Sequence, residues 1–153
     1  MVEGWLPDKS ILFAISPPGT YKTWMTMDLA ISLSCGLPFM GKMPARTGPV
    51  LYFQLEDHHG ALVERLWTVK IAKTSDDRPM YEQVGEDHRF VLPGARKTPI
   101  YFHSDRTMRV DDPQKMRELR RLVERYRPVL VIMDPLYALA DSSDRDWETN
   151  LSY

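Results

Sequence analysis

Short, nearly unbroken apolar runs separated by stretches of helical periodicity constrain this chain more than any other feature. The runs are Ile11–Ile15, Val50–Leu55, Ile100–Phe102 and Val129–Met133. A continuous run, unlike an alternating one, predicts a strand covered on both faces. Between the runs, apolar residues recur at helical spacing. Met25, Leu29 and Leu33 share one face of a helix over 22–35. Leu62, Leu66 and Val69 do so over about 60–73, and Met116, Leu119, Val123 and Tyr126 over about 113–126. Such alternation predicts an α/β fold: a mostly parallel central sheet between layers of helices.

Punctuation supports these limits. Gly36 stops the first helix, Asp112-Pro113 is an N-cap with proline at the first helical position, and Pro128 ends the third. Residues 36–49 hold three Gly and three Pro and predict an irregular connection. Residues 74–99 are polar, contain proline, and predict mostly loop.

With 153 residues the chain suits a single domain over 1–153. Twenty Lys and Arg against 21 Asp and Glu leave a net charge of -1, so bulk charge gives no drive toward nucleic acid or membrane. One cysteine, Cys35, excludes an internal disulfide framework and a cysteine-rich zinc site. No apolar run approaches the roughly 20 residues of a membrane helix, and Met1–Asp8 lack the basic start of a signal peptide. The expectation is a cytoplasmic protein with no membrane partner.

Chemistry concentrates at the ends of the apolar runs. Residues 16–23 read Ser-Pro-Pro-Gly-Thr-Tyr-Lys-Thr between a run and a helix. The phosphate-loop pattern there is G-x-x-x-x-G-K-[ST]. The Lys22-Thr23 pair is intact, Ser16 and Tyr21 replace the two glycines, and Gly19 is an extra one. Loop N–H groups and a helix N-terminus bind phosphate oxygens, the lysine reaches phosphate, and the hydroxyl suits Mg²⁺. The candidate nucleotide-binding stretch is therefore Pro18, Gly19, Thr20, Tyr21, Lys22, Thr23 and Trp24. The run 129–133 ends in Asp134, a carboxylate suited to Mg²⁺. The run 50–55 ends in Glu56-Asp57, where a carboxylate can position or deprotonate water. In a parallel sheet all three ends open on one edge, the edge where ligands bind.

In these motifs the chain resembles RecA-like P-loop ATPases of the RepA/DnaB-type replicative helicase group, often labelled AAA family ATPases. The matching stretches are Ile11 to Gly36, Val50 to Leu66 with its Leu-Tyr-Phe-Gln-Leu-Glu-Asp, and Val131 to Leu136 with its Asp-Pro-Leu ending. The resemblance implies a RecA-like domain using ATP and Mg²⁺. Lys22 would contact phosphates and act in catalysis, Thr23 and Asp134 would bind the metal, and Glu56 would be the catalytic base. Arg65 carries over as a structural residue. The group often forms hexameric rings and acts on DNA, which makes a homo-oligomer and DNA the implied partners.

In the RecA-like plan a further strand lies between the P-loop strand and the Asp134 strand. Asp134 stands close to the end of the sequence, and no later run supplies that strand. The expectation is a domain incomplete at its C-terminus, whether truncated, split, or completed by a partner. Two other readings stay open: a nucleotide-binding or assembly module without turnover, and a P-loop kinase. The four His and Cys35 have no metal-like spacing. Arg117, Arg120, Arg121 and Arg125 predict a solvated helix face. The Asn-Lys-x-Asp signature of Ras-like GTPases is missing.

Overall fold

The structure is a computed structural model that describes residues 6, 9–17, 19–40, 47–55, 59–74, 81–84, 87–90 and 98–135. Its elements are α1 (Lys22–Cys35), β1 (Val50–Gln54), α2 (His59–Thr74), β2 (Tyr81–Val84), β3 (Asp87–Phe90), β4 (Ile100–Ser104), α3 (Pro113–Tyr126) and β5 (Leu130–Asp134). The strands form one sheet in the order β2-β3-β4-β1-β5. Strands β4, β1 and β5 are parallel, and β2, β3 and β4 pair antiparallel.

Side-chain alternation along β1 builds two cores. Val50 and Tyr52 join Ile100, Phe102 and Ile132 beneath α1 and α2, where Met27, Ile31, Leu33, Leu62 and Leu66 close the layer. Leu51 and Phe53, followed by Leu55, face the other way, against Met108 and the half-buried Leu119, Leu122, Val123 and Tyr126 of α3. Every residue of β1 is buried, as a central strand covered on both faces requires. The expected three-layer α/β architecture with a mostly parallel sheet is present.

Local signals place the helix ends. Gly36 takes a left-handed conformation and its N–H bonds Ser32 O, closing α1. Asp112 accepts from the N–H groups of Gln114 and Lys115, with Pro113 at the first helical position. Gly48 permits a tight passage beside β5: a Cβ there would lie 2.1 Å from Val129 Cγ1.

Three expectations need correction. Ile11–Ile15 is neither a strand nor buried; Ile11 is 81% exposed and Ile15 74%. Both edges of β1 are taken by β4 and β5, and the outer edge of β5 pairs with no strand among the described residues. Without a ladder partner the apolar run has neither backbone pairing nor a covered face. The polar stretch 74–99 contains the β2–β3 pair, which extends the sheet beyond β4. Its composition hid it, because marginal strands do not need a continuous apolar run. The stripe of α3 is half-buried rather than buried, and Met116 is exposed. Leu122 joins the packing instead, because α3 covers its face of the sheet from one side only.

Candidate functional site

The C-terminal edge of the parallel strands meets the N-terminus of α1. Register aligns Gln54 of β1 with Asp134 of β5 and with Ser104 of β4. The Leu55 N–H extends the β1–β5 pairing by bonding Asp134 O at 3.0 Å. Asp134 is nearly buried, and the chain leaves it through a cis Asp134–Pro135 peptide.

Asp134 is linked to α1 by a row of hydroxyls. The Tyr52 hydroxyl donates to Asp134 Oδ2 at 2.9 Å and lies 2.8 Å from Thr26 Oγ1. Its single proton goes to the carboxylate, so Tyr52 can only accept from Thr26, whose own single proton is divided between the Tyr52 hydroxyl oxygen and Thr23 O. The row therefore ends on Asp134, with Tyr52 as the donor to it. Thr26 stands one turn beyond Lys22 and Thr23, and Thr23 O lies 3.0 Å from the same hydroxyl. Burial, and then the Asp134 charge, push the Tyr52 phenol well above its ordinary value of 10.0, while its contact with Thr26 and the charge of Arg65 on α2 act in the opposite direction. Tyr52 thus remains a donor throughout the physiological range.

The loop before α1 is organised by its own lysine. The Lys22 ammonium donates to Ser16 O at 2.7 Å and to Pro17 O at 2.8 Å, with Ser16 Oγ at 3.2 Å. The Thr20 hydroxyl also donates to Pro17 O, at 2.7 Å. Gly19 (φ 78°) and Tyr21 (φ 63°) are both left-handed. Tyr21 stands where the phosphate-loop pattern has its second glycine, and a non-glycine residue pays about 1–2 kcal/mol for that conformation. It heads α1 without a side-chain cap, and no acid lies in the first turn. The first N–H groups of α1 and its dipole therefore favour an anion.

Of the residues singled out in the sequence, Gly19, Thr20, Tyr21, Lys22, Thr23 and Trp24 lie together at this helix start. Asp134 is joined to it through Tyr52 and Thr26. Pro18 and Glu56 lie outside the described residues.

Two groups at the site were not anticipated. Tyr52 read only as an apolar strand residue. Gln54 is 3% exposed and its Oε1 has no hydrogen-bond partner among the described residues. A polar residue interrupting an otherwise apolar run was the available signal for it. Elsewhere the fold brings His103, Asp105 and Glu118 within 4.8 Å of one another, a grouping that linear spacing concealed. There the Lys115 ammonium already sits 2.7 Å from Asp105 Oδ2 and 3.7 Å from Glu118 Oε2. The four arginines of α3 are exposed.

The family model described as AAA domain matches residues 1–149. The chain belongs to the AAA domain family. Searches of curated proteins and of solved structures each return no significant match. Membership makes the AAA domain a nucleotide-binding, P-loop ATPase-type module, in keeping with the α/β architecture. Among the described residues of this AAA domain, no helix is long and apolar enough to cross a membrane.

Proposed function

We propose that the chain is a single, partial RecA-like ATPase domain over residues 1–153, of the RepA/DnaB-type replicative helicase group. It binds ATP with Mg²⁺ and hydrolyses it in DNA replication or unwinding, in the cytoplasm, as a ring-forming homo-oligomer acting on DNA. One observation carries the reading: Lys22 and Thr23 open a helix whose next turn is hydrogen-bonded, through Tyr52, to the carboxylate of Asp134.

The N–H groups of the loop and first turn, among Gly19 to Trp24, hold phosphate oxygens, Pro18 belongs to the same sequence stretch but has no amide proton to offer, and Lys22 neutralises charge. The oxygen donors Thr23 and Asp134 suit Mg²⁺, a hard cation that keeps several of its waters. The buried, unpaired Gln54 Oε1 beside Asp134 adds to that fit. When bound, the metal neutralises charge on the transferring phosphoryl group. Glu56, two residues beyond Gln54, orients the attacking water and takes its proton.

A second reading, nucleotide binding without turnover, is favoured by one feature. Tyr21 occupies a backbone conformation better suited to glycine, and Lys22 is saturated by its own loop.

Thermal unfolding with and without Mg-ATP tests the first reading, with Lys22→Ala as control. A ligand at a hundredfold excess over Kd is expected to add about 2.7 kcal/mol to the wild type alone. Glu56→Gln should keep that stabilisation and lose phosphate release. A wild-type transition that Mg-ATP does not move excludes both readings. Stabilisation without turnover, with DNA present, leaves the second.

A further inference from the structure

Gln54 and Asp134 are register partners at the ends of adjacent parallel strands. Their side chains share the face that carries Tyr52, since Tyr52 bonds Asp134 and lies two residues from Gln54. One carboxylate oxygen of Asp134 is occupied by the Tyr52 hydroxyl, and no hydrogen bond reaches the other from any described residue. At the neighbouring register position stands Gln54, whose carbonyl oxygen is buried and has no donor among the described residues. A buried acceptor without a partner is costly to the free protein, so its presence calls for a ligand that supplies the donor.

We propose that the Gln54 carbonyl oxygen accepts from the water shell of a divalent cation held beside Asp134, so that Gln54 helps to set the cation's affinity. This rests on the reading of Asp134 as part of a metal–nucleotide site. Gln54 is then a positioning residue: it touches the cation's water rather than phosphate. A neutral acceptor suits that place, because a second carboxylate there would add charge and tighten the hold on any divalent ion.

Mn²⁺ titration of the full chain in the presence of ADP, followed by loss of the free-ion EPR signal, reads the effect without turnover. Gln54→Met keeps an unbranched side chain of similar length and removes the acceptor. It should leave the melting temperature of the ligand-free chain unchanged or higher, because a buried unpaired group is gone. Mn²⁺ affinity should fall about tenfold or more, the range for losing an outer partner of a metal site. ADP affinity without metal should not change. Gln54→Glu should bind Mn²⁺ at least as tightly as wild type. Asp134→Asn separates the two claims. If Asp134→Asn loses Mn²⁺ while Gln54→Met binds it like wild type, the Gln54 inference is overturned and the site reading stands. If the wild type takes up no Mn²⁺ with ADP, or Asp134→Asn leaves uptake unchanged, both fall. A ligand-free Gln54→Met chain that melts markedly lower would make the amide a structural group, which also overturns the inference.

Discussion

The Tyr52 hydroxyl has one proton and two oxygen neighbours, and removing it separates hydrogen bonding from packing. Tyr52→Phe keeps the ring, which lies 5.4 Å from Phe102 centroid to centroid. It takes the donor from Asp134 Oδ2 and leaves Thr26 bonded to Thr23 O alone. The expected loss is about 1–3 kcal/mol, the cost of leaving a nearly buried acceptor unpaired. Urea denaturation measures it, and the loss should shrink when Asp134 is already Asn, since the two substitutions remove one shared bond. At this scale the sequence was only half legible. Lys22, Thr23 and Asp134 stand out only together, because each type is common alone and the combination at the ends of successive apolar runs is not. Tyr52 does not, because its partner lies 82 residues away and no local pattern encodes such a contact. Gln54 was visible as a polar interruption, but its isolation emerged only from the burial around it.

Elements differ in how far they depend on neighbours. The start of α3 was legible to the residue, because a cap and a proline act locally, whereas the start of α1 was legible from the Lys22-Thr23 pair of the phosphate-loop pattern. Ile11–Ile15 was misread because a strand exists only against another strand, and no ladder partner faces it. Its exposure gives a direct check. Phe13→Ser should change stability by no more than about 0.5 kcal/mol in chemical denaturation, as for surface positions generally. A loss of several kcal/mol would reinstate the buried strand. The β2–β3 pair escaped for the opposite reason, since residues at a sheet margin need not be apolar. One sign was present: only Gly85-Glu86 separate the two strands in sequence, a hairpin spacing. The link between β4 and α3 makes a pH prediction. Burial of Asp105 would raise its carboxyl, but hydrogen bonds from Lys115 and Thr107 outweigh it and hold the group below its usual 3.8. A carboxyl lowered in the folded state adds stability above its unfolded value, and that stability is lost as pH falls through the lower folded value. Asp105→Asn should therefore be less stable than wild type near neutrality, and the gap should close below about pH 3.8. Unfolding midpoints of both proteins across that range provide the measurement.

On the scale of the whole molecule, β1 is the shared wall of two cores. Tyr52 and Phe53 are adjacent yet face opposite helical layers. The layers cannot separate without exposing a strand buried on both faces. Phe53→Ala, at a position 1% exposed, should cost about 3–5 kcal/mol. The loss should appear as one shifted transition, coincident by far-ultraviolet dichroism and Trp fluorescence. Two separate transitions would mean that the α1–α2 layer and the α3 layer melt independently. The parallel centre was legible at this scale because continuous apolar runs alternating with helices admit few arrangements. The sheet's margins were not, because membership there is decided by which edges remain free.

The lysine knot at the start of α1 has a consequence for recognition. The Lys22 ammonium already holds two carbonyl oxygens and lies within reach of a hydroxyl, all from its own loop. On the proposed reading of Lys22 as a phosphate contact, the loop acts as an intramolecular competitor for its own cation. An arriving anion must exchange places with acceptors tethered at very high local concentration, so the observed dissociation constant is the intrinsic one divided by the fraction of loops that have let go. Weakening the tether, not strengthening the grip on the anion, is then the economical route by which a sequence of this kind gains affinity.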